Sequence, residues 1–221
     1  MKKYIIHYPV LVERKTYIDS LIAAGDLQDV EYISTWNRES LNPEMHPKYI
    51  PDESKWIKKC KNYYSETPPF RKLKLGDIAC TLNHVEAWKR VAEHGDALIL
   101  EDDAIFCKNF EQNFNQMISY SVNFDVLFIG GGFYHEHVAK TKSRYNNFYC
   151  KSHPSTNTIC AYVLTKKSAE LLLNHFSEHT LPTDFELNYW FDELNFNVYH
   201  HIPYLIKEGT SAGYYTTCQQ R

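Results

Sequence analysis

The chain lacks an apolar window long enough to span a bilayer, a surplus of positive charge, a Cys-x-x-Cys pair, an internal repeat and any low-complexity tract. Each absence removes a class of protein. A membrane-crossing helix takes about 20 consecutive apolar residues, and no such run is present. Lys and Arg number 24 against 27 Asp and Glu, a net charge of −3. That argues against a nucleic-acid partner, which calls for positive charge gathered on one face. The six cysteines, at 60, 80, 107, 150, 160 and 218, are too sparse for a disulfide scaffold and lack the short Cys/His spacings of a zinc ribbon. Cys80, Cys107 and Cys160 lie in apolar segments, where buried free thiols are expected. A reducing, cytoplasmic setting is the expectation, with peripheral membrane association left open. Met1–Pro9 has charge but no long apolar stretch and no small-residue cleavage site, so a secretory leader is not expected there. No glycine-rich basic loop follows the first strand, which disfavours a sugar nucleotidylyltransferase.

What is present is an alternation of strands and helices around one acidic stretch. A chain of 221 residues with 43% apolar content can build one large core, and residues 1–221 are read as a single domain. Residues 3–8 predict a strand, Val12–Ala24 a helix stopped by Gly25, and Val30–Ile33 a second strand. Such a β-α-β opening predicts a parallel sheet. Ile78, Leu82, Val85 and Ala92 share one face of a helix for which Asp77 is the expected N-cap. Leu98-Ile99-Leu100 then runs into Glu101-Asp102-Asp103. The apolar run predicts a strand buried on both faces. Three carboxylates at its end repel one another, so packing alone does not select them. Ligands of open α/β sheets bind at strand carboxyl ends, where acids can hold a divalent cation against a phosphate. The bland alternative is a solvated acidic turn.

Downstream, Phe110, Phe114, Met117 and Ile118 mark a helix, and Phe124–Ile129 a strand. That strand ends in Gly130-Gly131-Gly132, which lets a backbone approach a ligand closely. Ile159–Leu164 predicts a strand, Thr165 the cap of a helix, and Thr183-Asp184-Phe185-Glu186 a capping box opening a helix to about Leu194. A last strand, Asn197–Tyr204, carries His200 and His201, and Gly209–Gly213 is flexible in composition. Two long aromatic loops, 36–75 (with a short helix near Ser54–Tyr64) and 133–157 (with His135, His137 and His153), read as functional loops.

Four segments in order resemble glycosyltransferase family 25, the lipopolysaccharide and collagen β-galactosyltransferase type. Gly76-Asp77-Ile78-Ala79-Cys80-Thr81-Leu82-Asn83-His84 is similar to that family's Gly-Glu-Ile-Gly-Cys-x-x-Ser-His block, with Asn83 in place of the Ser. Leu98–Ala104 is similar to its Ile-Leu-Glu-Asp-Asp-Val block. Thr158–Leu164 with Ala169-Glu170-Leu171-Leu172, and Leu181–Leu187, are similar to its third and fourth blocks. The resemblance covers roughly residues 3–210. It implies an α/β fold of GT-A type, a Rossmann-like, mostly parallel sheet flanked by helices. It also implies a UDP-hexose donor (galactose or glucose), Mn²⁺ or Mg²⁺, and inverting transfer to a glycan, glycolipid or glycoprotein hydroxyl.

By the resemblance Asp103 is the direct metal ligand, Glu101 contacts the donor or a metal-bound water, and Asp102 turns toward backbone or donor. Side-chain alternation along an extended segment independently puts Glu101 and Asp103 on one face. Inversion requires a base opposite the leaving group; Asp184 matches the family's acid, with Glu186 in reserve, although both also fit a plain capping box. His7, His84 and Gly130 are candidate donor-binding positions, His84 being equally readable as a structural histidine. One of His200 and His201 is a candidate third metal ligand. Arg14, Lys72 and Lys74 are candidate phosphate contacts. A phosphohydrolase acting on nucleotide sugars and a non-catalytic nucleotide-sugar-binding module are the competing functions.

Overall fold

The computed structural model describes residues 1–42, 49–60, 69–120, 122–132, 144–145, 148–150 and 158–216. The chain runs β1 (Lys2–Ile6), α1 (Val12–Ala24), β2 (Val30–Ile33), α2 (Glu53–Cys60), α3 (Leu75–His94), β3 (Ala97–Glu101), β4 (Ala104–Phe106), α4 (Phe110–Ser119), β5 (Val126–Phe128), β6 (Gly130–Gly131), β7 (Arg144–Tyr145), β8 (Phe148–Cys150), β9 (Ala161–Leu164), α5 (Lys166–His175), α6 (Thr183–Glu193), β10 (Val198–His201) and β11 (Ile206–Glu208). An eight-stranded sheet has the order β2-β1-β3-β9-β5-β10-β8-β7, and β4-β11-β6 form a smaller one. β1 pairs in parallel with β2 and β3, and β5 with β10, while β9 runs antiparallel between β3 and β5. The sheet is thus mostly parallel in its central part, as expected, with β9 reversed.

Period-two alternation explains why the strands read as unbroken apolar runs. Tyr4, Ile6, Ile99, Val126, Phe128, Tyr162 and Leu164 point to one face and meet Trp88 of α3, Leu172 of α5 and Phe191 of α6. Ile5, Leu98, Leu100, Leu127, Ile129, Ala161 and Val163 point to the other and meet Ile18 of α1 and Phe114 and Met117 of α4. With both faces covered, neither set can be polar. A third cluster, including Leu41, Trp56, Cys60, Leu73, Ile78, Leu82 and Leu181, fixes the described parts of 36–75 against α3 and the start of α6. Trp36, Tyr49, Trp56 and Phe70 of that loop therefore pack in this cluster rather than standing in solvent.

Two local expectations are corrected. α3 begins at Leu75, with Lys74 before it. Asp77 sits in the first turn, accepts the Lys74 N–H at 2.9 Å and pairs with Arg71 at 2.8 Å. No capping box forms at Thr183: the helix starts at Thr183 itself with Pro182 as N-cap, and the Thr183 hydroxyl meets that of Thr81 at 2.8 Å. The segment 209–213 is tied down, its Gly209 N–H donating to the Asp103 carbonyl at 2.7 Å. His135, His137 and His153 lie outside the described residues.

Candidate active site

The carboxyl ends of β1 and β3, the segment after β2, and the N-terminal turns of α3 and α6 enclose a cavity of about 950 Å³. Its wall includes His7, Tyr8, Trp36, Asp77, Cys80, Asn83, Glu101, Asp102, Asp103, Asp184, Glu208 and Thr210. β3 ends at Glu101 and the chain turns through Asp102 and Asp103 before β4, so the acids stand at a strand end.

The three acids have separate surroundings. Asp102 accepts Arg14 at 2.6 Å on one oxygen; its other oxygen takes the Tyr8 N–H at 3.0 Å and lies 2.9 Å from His7 Nδ1. Arg14 is itself buried and also bonds Thr210 Oγ1 at 3.3 Å and the Thr216 carbonyl at 3.0 Å. Asp102 is therefore a structural anchor joining β1, α1 and the chain's last described turn. Asp103 accepts the Thr210 hydroxyl at 2.6 Å on Oδ2, while its buried Oδ1 has no partner among the described residues. Burial first, then the charge of Glu101, pushes its carboxyl up to about 7. Glu208 also faces the cavity; burial raises its carboxyl, with the Glu101 charge adding to the effect. An unpartnered buried carboxylate oxygen, flanked by two further acids, has the chemistry that a hard divalent cation takes. The open oxygen of Asp103 suits such an ion, while the three ligand-type atoms that lie within 4.8 Å of one another among the described residues belong to Cys80, His84 and Glu101.

Glu101 is held from behind. Cys80 Sγ lies 3.4 Å and His84 Nε2 3.5 Å from the same carboxylate oxygen. Asp184, in the first turn of α6, stands on the cavity wall and accepts the Phe185 N–H at 3.0 Å. Burial, reinforced by the charge of Glu101, pushes it up to about 7.

Other candidates are placed elsewhere. Glu186 is fully buried off the cavity wall, ion-paired to Lys59, accepting the Thr180 and Leu181 N–H groups at 3.1 Å and Trp190 Nε1 at 3.2 Å. Its four donors leave it no capacity to act as a base. His200 stacks on Phe128 with centroids 4.9 Å apart and has Nδ1 3.0 Å from the Tyr204 hydroxyl; His201 Nδ1 lies 2.9 Å from the Pro203 carbonyl. Both sit on β10, separated from β3 by β9 and β5, and neither lines the cavity. Gly130 serves packing instead of a ligand: a Cβ there would fall 2.9 Å from Ala161 Cβ and 3.0 Å from Ile206 Cβ. Gly130→Ala is expected to destabilise by about 1–3 kcal/mol through overpacking with donor KM unchanged, as denaturant titration and donor kinetics would show.

Sequence reasoning missed Glu208 and Thr210, because the last strand was ended at Tyr204. Leu205-Ile206 before Glu208 repeats the apolar-to-acid pattern of β3 and was the available signal. It also missed that Asn83 grips Trp36, accepting its N–H at 3.0 Å and donating to its carbonyl at 2.8 Å.

Two solved structures share coarse similarity: galactosyltransferase LgtC in complex with donor and acceptor sugar analogues (9% identity, TM-score 0.41, 90% of this chain and 73% of that one) and mouse xyloside xylosyltransferase 1 (9%, 0.36, 91% and 84%). Neither is near enough to transfer chemistry. The procollagen lysyl hydroxylase and glycosyltransferase of Acanthamoeba polyphaga mimivirus is 28% identical over 128 residues, 49% of this chain but only 13% of that protein's length. The model of glycosyltransferase family 25 (LPS biosynthesis protein) matches residues 1–187, a span that takes in the acidic turn, the helix behind it and Asp184. With more than half of its length matched, the chain belongs to glycosyltransferase family 25.

Proposed function

We propose that the chain is a GT-A-type enzyme transferring a hexose, galactose or glucose, from a UDP-sugar to a hydroxyl of a glycan, glycolipid or glycoprotein, with inversion. The observation that carries this reading is the pairing, in one cavity, of Asp103 with an open buried oxygen and Asp184 with a carboxyl raised to about 7. Mn²⁺ or Mg²⁺ would be held by Asp103 and Glu101, with Glu208 alongside. When bound, the ion neutralises the charge that builds on the departing diphosphate. Asp184 takes the proton of the acceptor hydroxyl, and a base with a pKa near the working pH suits that transfer. Trp36, fixed by Asn83, offers a flat apolar wall to a ring of the donor. His200 and His201 lie on β10, away from the acids, which favours transfer over the phosphohydrolase reading that draws on them. Free thiols at Cys60, Cys80, Cys107 and Cys160 support a cytoplasmic setting. No described helix is long and apolar enough to cross a membrane.

Incubating the protein with a panel of UDP- and GDP-sugars plus Mn²⁺ is the direct test. One UDP-hexose is expected to be hydrolysed slowly, releasing UDP. Turnover of none, with either metal and with simple sugar acceptors added, would defeat the reading.

A further inference from the structure

Three wholly buried side chains run in series behind Glu101. Trp88, Tyr162 and His84 are each 0% exposed. Trp88 Nε1 lies 3.0 Å from the Tyr162 hydroxyl, and that hydroxyl lies 2.8 Å from His84 Nδ1. His84 Nε2 lies 3.5 Å from Glu101 Oε1. An indole N–H can only donate, so the Tyr162 oxygen accepts from Trp88. The phenol's own proton then has one acceptor in this network, His84 Nδ1. A neutral imidazole that accepts at Nδ1 carries its proton on Nε2 and offers it to Glu101. From the other side the Cys80 thiol reaches the same oxygen at 3.4 Å. Every donor in the series finds an acceptor, and the direction runs one way, from the sheet core to the cavity.

We infer that Trp88, Tyr162 and His84 form a hydrogen-bond relay that fixes the His84 tautomer and so aims the Glu101 carboxylate at the donor. Tyr162 and His84 are positioning residues, and the inference rests on the proposed role of Glu101. Apolar side chains would fill this part of the core without the desolvation that three polar groups carry. What the polar series adds is a defined donor at its cavity end. Burial pushes the Tyr162 phenol far above its ordinary value, so it remains a donor at every working pH. The contact to Glu101, at 3.5 Å, is the longest of the series.

A metal centre is the competing explanation, since Cys80, His84 and Glu101 place one ligand-type atom each within 4.8 Å of one another. A cation on His84 Nε2 would move the ring proton to Nδ1. The Tyr162 oxygen would then face two donors, and its own buried proton would have no acceptor in the series. An unsatisfied buried donor is unfavourable, whereas the relay leaves none.

Tyr162→Phe keeps the ring and removes the hydroxyl. ¹⁵N NMR of the full chain should show the Nε2–H tautomer at His84 in the parent protein and a mixed population in the variant. Loss of an outer partner of this kind typically lowers activity or metal affinity 10–100-fold. We expect kcat to fall by about that factor, with donor KM changed less. The added change His84→Gln, whose amide donates to Glu101 without a tautomer to fix, should recover most of the rate. An Nδ1–H tautomer in the parent, or unchanged tautomer and kcat in Tyr162→Phe, would overturn the relay. If the parent transfers no sugar at all, the reaction assignment fails while the tautomer measurement still decides the relay.

Discussion

Asp184→Asn is expected to lower kcat by ~10²–10⁴-fold, the range for loss of a general base, with donor KM nearly unchanged. The amide preserves shape and the contact to the Phe185 N–H, so the helix start should survive. The sign of the pH dependence follows from the same group. Its carboxyl is raised to about 7 by burial and by Glu101, and only the ionised form accepts a proton. Rate should therefore rise as pH climbs through about 7 in the parent protein, and that limb should become shallower in Asp184→Asn, where Asp103 alone still titrates near 7. Stability moves the other way. The folded state holds this proton more tightly than the unfolded chain, whose Asp titrates near ~3.9. Between that value and about 7, Asp184 therefore makes the fold less stable as pH rises. Asp184→Asn should remove its share of that slope and leave the share of Asp103, which is likewise raised to about 7; melting curves across pH 4–8 would measure the difference.

Arg14→Ala carries the largest expected effect on stability. Arg14 and Asp102 are both buried, 3% and 5% exposed, and the guanidinium is the carboxylate's shortest contact at 2.6 Å. Truncation leaves Asp102 as a buried charge supported by His7 and one backbone N–H. Breaking a buried pair in this way costs about 3–5 kcal/mol. For a chain of this size each kcal/mol shifts Tm by roughly 2–4 °C, so a fall of about 10 °C is expected in a melting experiment. The bonds from Arg14 to Thr210 and Thr216 would go as well, loosening the segment whose hydroxyl holds Asp103. Donor affinity should therefore fall together with Tm. In Asp102→Asn the charge is gone, and adding Arg14→Ala should cost markedly less than it does alone. A fall under about 3 °C in the single variant would show that Asp102 is not anchored as described.

The central strands and their flanking helices were legible because burial on both faces forces unbroken apolar runs, as at Leu98–Leu100 and Ala161–Leu164. The acidic turn stood out for the complementary reason: three adjacent carboxylates repel one another, and among the described residues the fold gives a structural partner of opposite charge to Asp102 alone. The division of labour among them was not. Alternation separates Asp102 from its neighbours, but only the fold brings Arg14, from a helix almost ninety residues earlier, against it. Glu186 stands in reserve behind Asp184 in the sequence because both are first-turn carboxylates, and only the resemblance favours Asp184. Lys59, reached across 127 residues, claims Glu186 and leaves Asp184 on the cavity. The histidines of β10 misled because a strand residue's distance from a site depends on sheet order, and β9 and β5 intervene. Glu208 and Thr210 were hidden by glycine-rich composition, although Gly209 is there for contact. A Cβ at that position would come within 2.6 Å of the Asp103 carbonyl.

Asp103 and its neighbours are expected to bind a UDP-sugar through a divalent cation. Thermal shift of the parent protein and of Asp103→Asn, each with a UDP-hexose, with and without Mn²⁺, tests it most directly. The parent should be stabilised by donor only when Mn²⁺ is present, by several degrees at saturation. Asp103→Asn should lose that shift while melting no lower than the parent without ligands, because it removes a carboxyl the fold keeps buried. A metal-dependent donor shift of full size in Asp103→Asn, or none in the parent with any UDP-hexose, would contradict the account.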